Sequence, residues 1–302
     1  VPAETLYLVD SSVYVFRAWF SMPSEFVNEN GQPTHAVYGF ASFLLTLLER
    51  ARPSHIALAF DESLTTSFRN EIYPEYKANR EPAPEELKRQ FAWCRELGAA
   101  LGITCFSDGR YEADDLIGTL AEVARPEGYR VSIVSSDKDL AQVLEPSDEL
   151  WDFARNRRVA YDAVPERYGV RAEQIADFLA LTGDPVDNIP GVPGVGPKTA
   201  GALLGHFDDL DALLARIDEV AGLPLRGAKG VARRLAEHQE AARLARRLTL
   251  IHRRAECIRP PLDLAWAGPD LERLDSLCGE LGFGRMLRQR ARVLSDALAG
   301  NA

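Results

Sequence analysis

Cysteine and lysine are scarce in these 302 residues. The four cysteines, Cys94, Cys105, Cys257 and Cys278, show no C-x-x-C spacing. That excludes a zinc ribbon and a disulfide scaffold, and it fits a reducing compartment, so a cytoplasmic location is expected. No apolar run approaches the roughly 18 residues of a membrane span. The longest candidate, residues 41–48, is interrupted by Ser42 and Thr46, and no membrane association is expected. The N-terminus has no basic segment followed by an apolar one, so no secretory signal is read. There are only five lysines among the 35 basic residues, and three of them (Lys77, Lys138 and Lys198) fall inside the motifs described below.

Carboxylates are abundant: 45 Asp and Glu give a net charge of −10. Such a balance argues against a polyanionic partner, because phosphate binding needs positive surface. The average hides a split. Residues 216–259 hold eleven basic and five acidic side chains, a local +6 that leaves −16 elsewhere. One region suits a nucleic-acid backbone, and the other crowds carboxylates that need a reason to be together.

The first half alternates strand and helix signals. Short apolar runs at 6–9, 55–60, 103–106, 131–134 and 150–153 read as strands. Between them, 36–50, 85–101 and 114–124 carry apolar residues at three- to four-residue spacing and read as helices. This alternation implies parallel crossovers and an α/β sheet. From about residue 164 the strand signals fade. Helical segments at 172–181, 198–204, 209–217, 231–250 and 271–287 take over, divided by Gly and Pro.

Asp10, Asp61 and the pair Asp137/Asp139 each follow the last apolar residue of an expected strand. In an open parallel sheet those ends share one edge, where ligand sites form. Glu112, Asp114 and Asp115 begin a helix, where the positive end of the dipole favours acids. Any one of these acids is most simply a cap or turn residue. Seven meeting at one edge would repel strongly, and such a cluster calls for cations. All-oxygen ligation without His or Cys suits Mg2+ or Mn2+, and several acids can hold two ions for phosphodiester chemistry.

Residues 184–200, DPVDNIPGVPGVGPKTA, place Gly191, Gly194 and Gly196 between helical patterns. This matches a helix-hairpin-helix whose free amides near Lys198 hold a DNA phosphate. Asp184 and Asp187 lie just before it and extend the acidic site. Residues 68–80, FRNEIYPEYKANR, mix Arg69, Lys77 and Arg80 with Tyr73 and Tyr76. Cations beside aromatics suit single-stranded nucleic acid.

Together these motifs resemble the bacterial 5′-to-3′ exonuclease and flap endonuclease family. The matching blocks are VDSSVYVFRA (9–18), AVYGF (36–40), FRNEIYPEYKANR (68–80), EADDLIGTLA (112–121), SSDKDLAQ (135–142) and LTGDPVDNIPGVPGVGPKTA (181–200), with a looser match over 269–287. Two glycines usual in the family are serines here, Ser11 and Ser136.

The resemblance implies a PIN-like, Rossmann-like parallel sheet with helices on both faces over residues 1–170, including a helical arch over about 68–101. It implies a helical region over 171–302 containing the helix-hairpin-helix at about 172–205. It implies metal ligation by Asp10, Asp61, Glu112, Asp114, Asp115, Asp137, Asp139, Asp184 and Asp187, with two ions. It further implies that Lys77 and Arg80 contact the scissile phosphate, that Tyr76 and the hairpin bind DNA, and that K+ sits on the hairpin carbonyls. The expected substrates are DNA 5′ ends, nicks and flaps. No protein partner is identifiable, and a free-standing enzyme is expected rather than a polymerase fragment.

Two other readings compete. A haloacid-dehalogenase-like phosphatase also places Asp at strand ends, but it needs a second Asp at position 12, which is Ser12. A non-catalytic DNA-binding module would use the hairpin and the basic helices, and it leaves nine acids without a purpose.

Overall fold

A computed structural model describes residues 4–63 and 67–300. Residues 1–3 and 301–302, the outer ends of the two expected regions, lie outside the described residues, as do residues 64–66. Six strands, β1 (Thr5–Asp10), β2 (His55–Asp61), β3 (Thr104–Asp108), β4 (Arg130–Val134), β5 (Glu149–Asp152) and β6 (Arg157–Ala160), form one sheet in the order β3-β2-β1-β4-β5-β6. The first five are parallel and β6 runs antiparallel to β5. Strand β6 is unexpected, since its RRVA has one buried residue, Val159.

The central strands β1, β2 and β4 are apolar on both faces, as expected for a covered parallel sheet. Leu6, Leu8, Ala57, Ala59, Val131 and Ile133 point into one core, and Val9, Ile56, Leu58, Phe60 and Val134 into the other. Helix α1 (Ser11–Ser21) follows β1 directly and α2 (His35–Ala51) packs on it. Val13 and Val15 disfavour a helix by propensity, and none was expected at 11–21. Asp10 starts it by accepting the Val13 N–H at 3.4 Å. The start of α2 has no cap from Thr34. Instead Gln90, 0% exposed, accepts the Ala36 and Val37 N–H groups at 2.8 and 3.3 Å.

A short turn, α3 (Arg69–Ile72), precedes α4 (Glu85–Ala100), which buries Leu87, Phe91, Cys94 and Leu97 beside α2. Helix α5 (Ala113–Ala124) covers the opposite face. Next come α6 (Val164–Tyr168), α7 (Ile175–Thr182), α8 (Pro197–His206), α9 (Leu210–Ala215) and α10 (Ile217–Val220). The expected helix at 231–250 is two, α11 (Ala228–Glu237) and α12 (Gln239–Thr249), broken at His238. The expected helix at 271–287 is also two, α13 (Leu271–Glu280) and α14 (Arg285–Ala299), separated where Gly282 takes a φ of 72°. Helices α7 to α12 extend the core of α5, whereas α13 and α14 return to pack with α2 and α4. No described helix is long and apolar enough to cross a membrane.

The α7–α8 connection is a tight hairpin closed at Gly183 and Gly191. A Cβ on Gly191 would lie 2.4 Å from the Gly183 nitrogen and from the Thr182 carbonyl carbon, whereas one on Gly196 would meet nothing within 4 Å. Gly191→Ala should therefore cost about 1–3 kcal/mol through overpacking. Gly196→Ser, at the uncapped start of α8, should be neutral or stabilising. Chemical denaturation of both variants checks this, and equal losses would contradict the close approach at Gly191.

Candidate active site

Strands β2, β1 and β4 are neighbours, so their carboxyl ends bring Asp10, Asp61 and the Asp137/Asp139 turn side by side. The start of α5 adds Glu112 and Asp114, and the loop after α7 adds Asp184 and Asp187. These eight acids, with Tyr76, Lys77 and Arg80, line one cavity of about 590 Å³. Capping and clustering coincide here. Asp10 caps α1 and also accepts the buried Ser135 hydroxyl at 2.7 Å. Asp61 accepts the Ala113 N–H at the start of α5 at 2.9 Å.

The charges are poorly compensated. Burial, together with the Asp61 and Asp137 charges, raises the Asp10 pKa to about 7 despite the Ser135 bond. Burial and Asp137 raise that of Asp139 to about 8, and Asp139 Oδ1 is buried without a hydrogen bond. Asp61 is raised by burial and Glu112. Asp137 is raised by burial and by Asp187 and Asp184. Asp114 lies well above its ordinary value through burial and the charges of Asp10, Asp137, Asp61 and Glu112.

Glu112 differs. Burial acts to raise it, but Lys77 and Arg69 outweigh that and hold it below its ordinary value. Lys77 is ion-paired with Glu112 and lies 3.9 Å from Asp187, while Arg80 pairs with Asp187. Among the described residues no three His, Cys, Asp or Glu side chains are gathered into a ready-made ion-binding group.

Two expected site residues sit differently. Asp115 was expected among the ligands but does not line the cavity. Its carboxylate is wholly buried and takes a two-pronged bond from Arg69, 2.8 Å at each oxygen. It also accepts the His252 and Glu112 N–H groups at 2.8 and 3.1 Å. Both oxygens are thus occupied. Tyr76, expected to bind DNA, is 3% exposed, and its hydroxyl donates to Glu112 at 3.0 Å and Asp187 at 3.2 Å. Its ring braces the cavity wall and is not open for stacking. Gly191, Gly194, Gly196 and Lys198 lie outside the cavity, on the hairpin and the start of α8.

Arg69 has a role that the 68–80 motif does not signal. It reaches Asp115, 46 residues away, and donates to the Leu248 and Leu250 carbonyls at 2.8 and 3.1 Å. No local pattern signals that those carbonyls return to the site.

Family models for the 5′-3′ exonuclease, N-terminal resolvase-like domain, match residues 5–169, and for its C-terminal SAM fold, residues 170–272. The chain belongs to the 5′-3′ exonuclease family. DNA polymerase I of Bacillus caldotenax is 40% identical over 97% of the chain, and that of Rhizobium leguminosarum 43% over 72%. The exonuclease chain spans about a third of the former's length and about a fifth of the latter's, 33% and 22%. Its fold is similar to that of the T5 D15 protein co-crystallised with metal ions, at TM-score 0.67 and 19% identity over 97% of this chain and 99% of that one. It is also similar to the catalytic core of Rad2 in complex with DNA substrate, at TM-score 0.64 and 14% identity over 98% and 93% of the two chains. Human GEN1 bound to Holliday junction DNA aligns at TM-score 0.63 and 12% identity over 96% and 71%. Family membership sets aside the phosphatase.

Because Asp10 is held near 7 against an ordinary 3.8, the folded metal-free state binds more protons than the unfolded state in that interval. Stability therefore falls as pH rises through it. In chelator at pH 8, Asp114→Asn should raise the unfolding free energy by replacing a buried carboxyl whose ionisation burial and its neighbours oppose with a neutral amide. Asp115→Ala should lower it by about 3–5 kcal/mol by stranding Arg69. Denaturant titration decides, and the opposite order would refute the assignment of these two neighbours.

Proposed function

We propose that the chain hydrolyses DNA phosphodiester bonds at 5′ ends, nicks and flap junctions with the help of divalent cations. The observation that carries this is a single cavity holding eight carboxylates together with Lys77 and Arg80. The donor chemistry fits Mg2+ or Mn2+: carboxylate oxygens only, five of the acids raised by burial and mutual charge, and a buried Asp139 oxygen without a partner. Asp10, Asp61, Glu112 and Asp114 would hold one ion, and Asp137, Asp139, Asp184 and Asp187 a second. Bound there, such ions would supply Lewis-acid activation of water and charge neutralisation at the leaving oxygen.

The chain's own cations do the rest. A phosphate entering the cavity competes with Glu112 and Asp187 for Lys77 and Arg80, which then stabilise charge developing on the phosphoryl oxygens. Beyond the cavity, the hairpin grips the duplex backbone. Gly196 leaves the start of α8 without a side-chain cap, so the amides near Lys198 are open to a phosphate. Carbonyls at 190–197 would take K+. The arch over 68–101 guides the single-stranded 5′ end. We assign nuclease chemistry to residues 1–170 and duplex grip to 171–302, around the hairpin element at 172–205. A DNA substrate and four unpaired cysteines support a cytoplasmic setting.

The test is a cleavage time course on a 5′-flap, a nicked duplex and a single strand, each labelled at both ends, in magnesium and in chelator. Magnesium-dependent cutting near the flap junction with a 5′-phosphate on the product is expected. Lys77→Ala should slow it by about 10²–10³-fold. Tight flap binding with no cleavage in either condition would overturn the reading.

A further inference from the structure

Two segments distant in the chain face each other beside the cavity: the turn at 73–80, which carries Lys77, and the loop at 184–189, which leads into the hairpin. Asparagine amides join them from both sides. Asn188 Nδ2 donates to the Glu75 carbonyl at 2.7 Å, and Asn79 Nδ2 donates to the Pro185 carbonyl at 2.8 Å. Between these, the Lys77 N–H donates to the Asp187 carbonyl at 3.0 Å. From behind, Asn70 Nδ2 holds the Tyr76 carbonyl at 2.9 Å.

Lys77 needs this support. Its φ is 57°, in the left-handed region, and Asn188 opposite it has a φ of 56°. Asparagine adopts that conformation readily, but a lysine does so only when its surroundings hold it there. The carbonyls of Glu75 and Tyr76 and the N–H of Lys77 lie in one short stretch of backbone, and all three are bonded from outside the turn. The 184–189 loop is closed on itself, since the Asp184 and Ile189 backbones exchange bonds at 2.9 and 2.8 Å, and the flanking chain is closed at the hairpin neck by the Val192 N–H donating to the Leu181 carbonyl at 2.9 Å.

We propose that Asn188 and Asn79 are positioning residues that act through Lys77. They tie its turn to the loop carrying the hairpin, so that the element gripping the duplex and the cation facing the reacting phosphate move as one piece. Neither amide touches the cavity's reacting centre, as neither residue lines it. Misplacing a catalytic cation by an ångström slows chemistry without weakening binding elsewhere. This inference rests on the proposed role of Lys77.

The test uses the full chain and single-turnover cleavage of a labelled 5′-flap DNA in magnesium. Affinity for the same DNA is measured by fluorescence anisotropy in chelator. Asn188→Gly keeps the left-handed backbone accessible and removes only the amide, and Asn79→Ala removes the other staple. Each should lower the cleavage rate about tenfold or more while DNA affinity stays within about twofold. In a Lys77→Ala background Asn188→Gly should cause no further loss, because both changes remove the same contribution. A purely structural staple would instead give the same fractional loss in both backgrounds.

The inference is overturned if Asn188→Gly cleaves at the wild-type rate while Lys77→Ala is impaired, if its loss persists undiminished without Lys77, or if the defect lies in DNA affinity. Normal cleavage by Lys77→Ala would refute the role of Lys77 itself, and the positioning role with it.

Discussion

The burial and mutual repulsion of the carboxylates at the ends of β1, β2 and β4 is the constraint around which the surrounding structure is arranged. The parallel sheet creates it, because the order β2-β1-β4 places three strand ends side by side. Helix α5 intensifies it by presenting Glu112 and Asp114 from across the same edge. Repulsion on this scale destabilises a fold unless positive charge is supplied. Part of the supply is internal: Lys77 on Glu112 and Arg80 on Asp187. The remainder of the edge, Asp10, Asp61, Asp114, Asp137 and Asp139, stays raised. The site is therefore poised to accept cations, at the expense of its own stability without them.

The Arg69–Asp115 pair makes that arrangement mechanically sound. It is buried, two-pronged and further bonded to the backbone at Leu248, Leu250 and His252. A buried ion pair is expensive unless every polar atom is satisfied, and here the pair's own two bonds and three to the neighbouring backbone approach that condition. The pair joins the start of α5, the turn before Lys77 and the chain leaving α12. Adjacent acids in one motif thus have opposite tasks. Asp114 faces the cavity with its charge unmet, and Asp115 turns away and locks the cavity wall.

Much of the architecture was legible in the sequence because parallel strands read as short apolar runs. Asp10 and Asp61 were found because each ends such a run. What stayed hidden depended on tertiary context. Helix α1 carries the β-branched Val13 and Val15 in its first turns and is started by an acid from the site itself. Strand β6 is short and largely exposed, held by its pairing with β5. The identity of Asp115 as a buried partner depended on Arg69 reaching it, and spacing on one helix face could not separate it from Asp114. Tyr76 looked like a stacking ring beside cations, whereas packing buried it and turned its hydroxyl to Glu112 and Asp187.

The most direct test of the account is calorimetric titration of the metal-free chain with Mg2+ near pH 7, in several buffers of different ionisation enthalpy. With Asp10 raised to about 7 and Asp139 to about 8, ion binding must displace protons. The account predicts saturable binding whose heat varies with the buffer, with proton release that diminishes in Asp10→Asn. Absence of binding, or binding with no change in proton uptake or release, would contradict it.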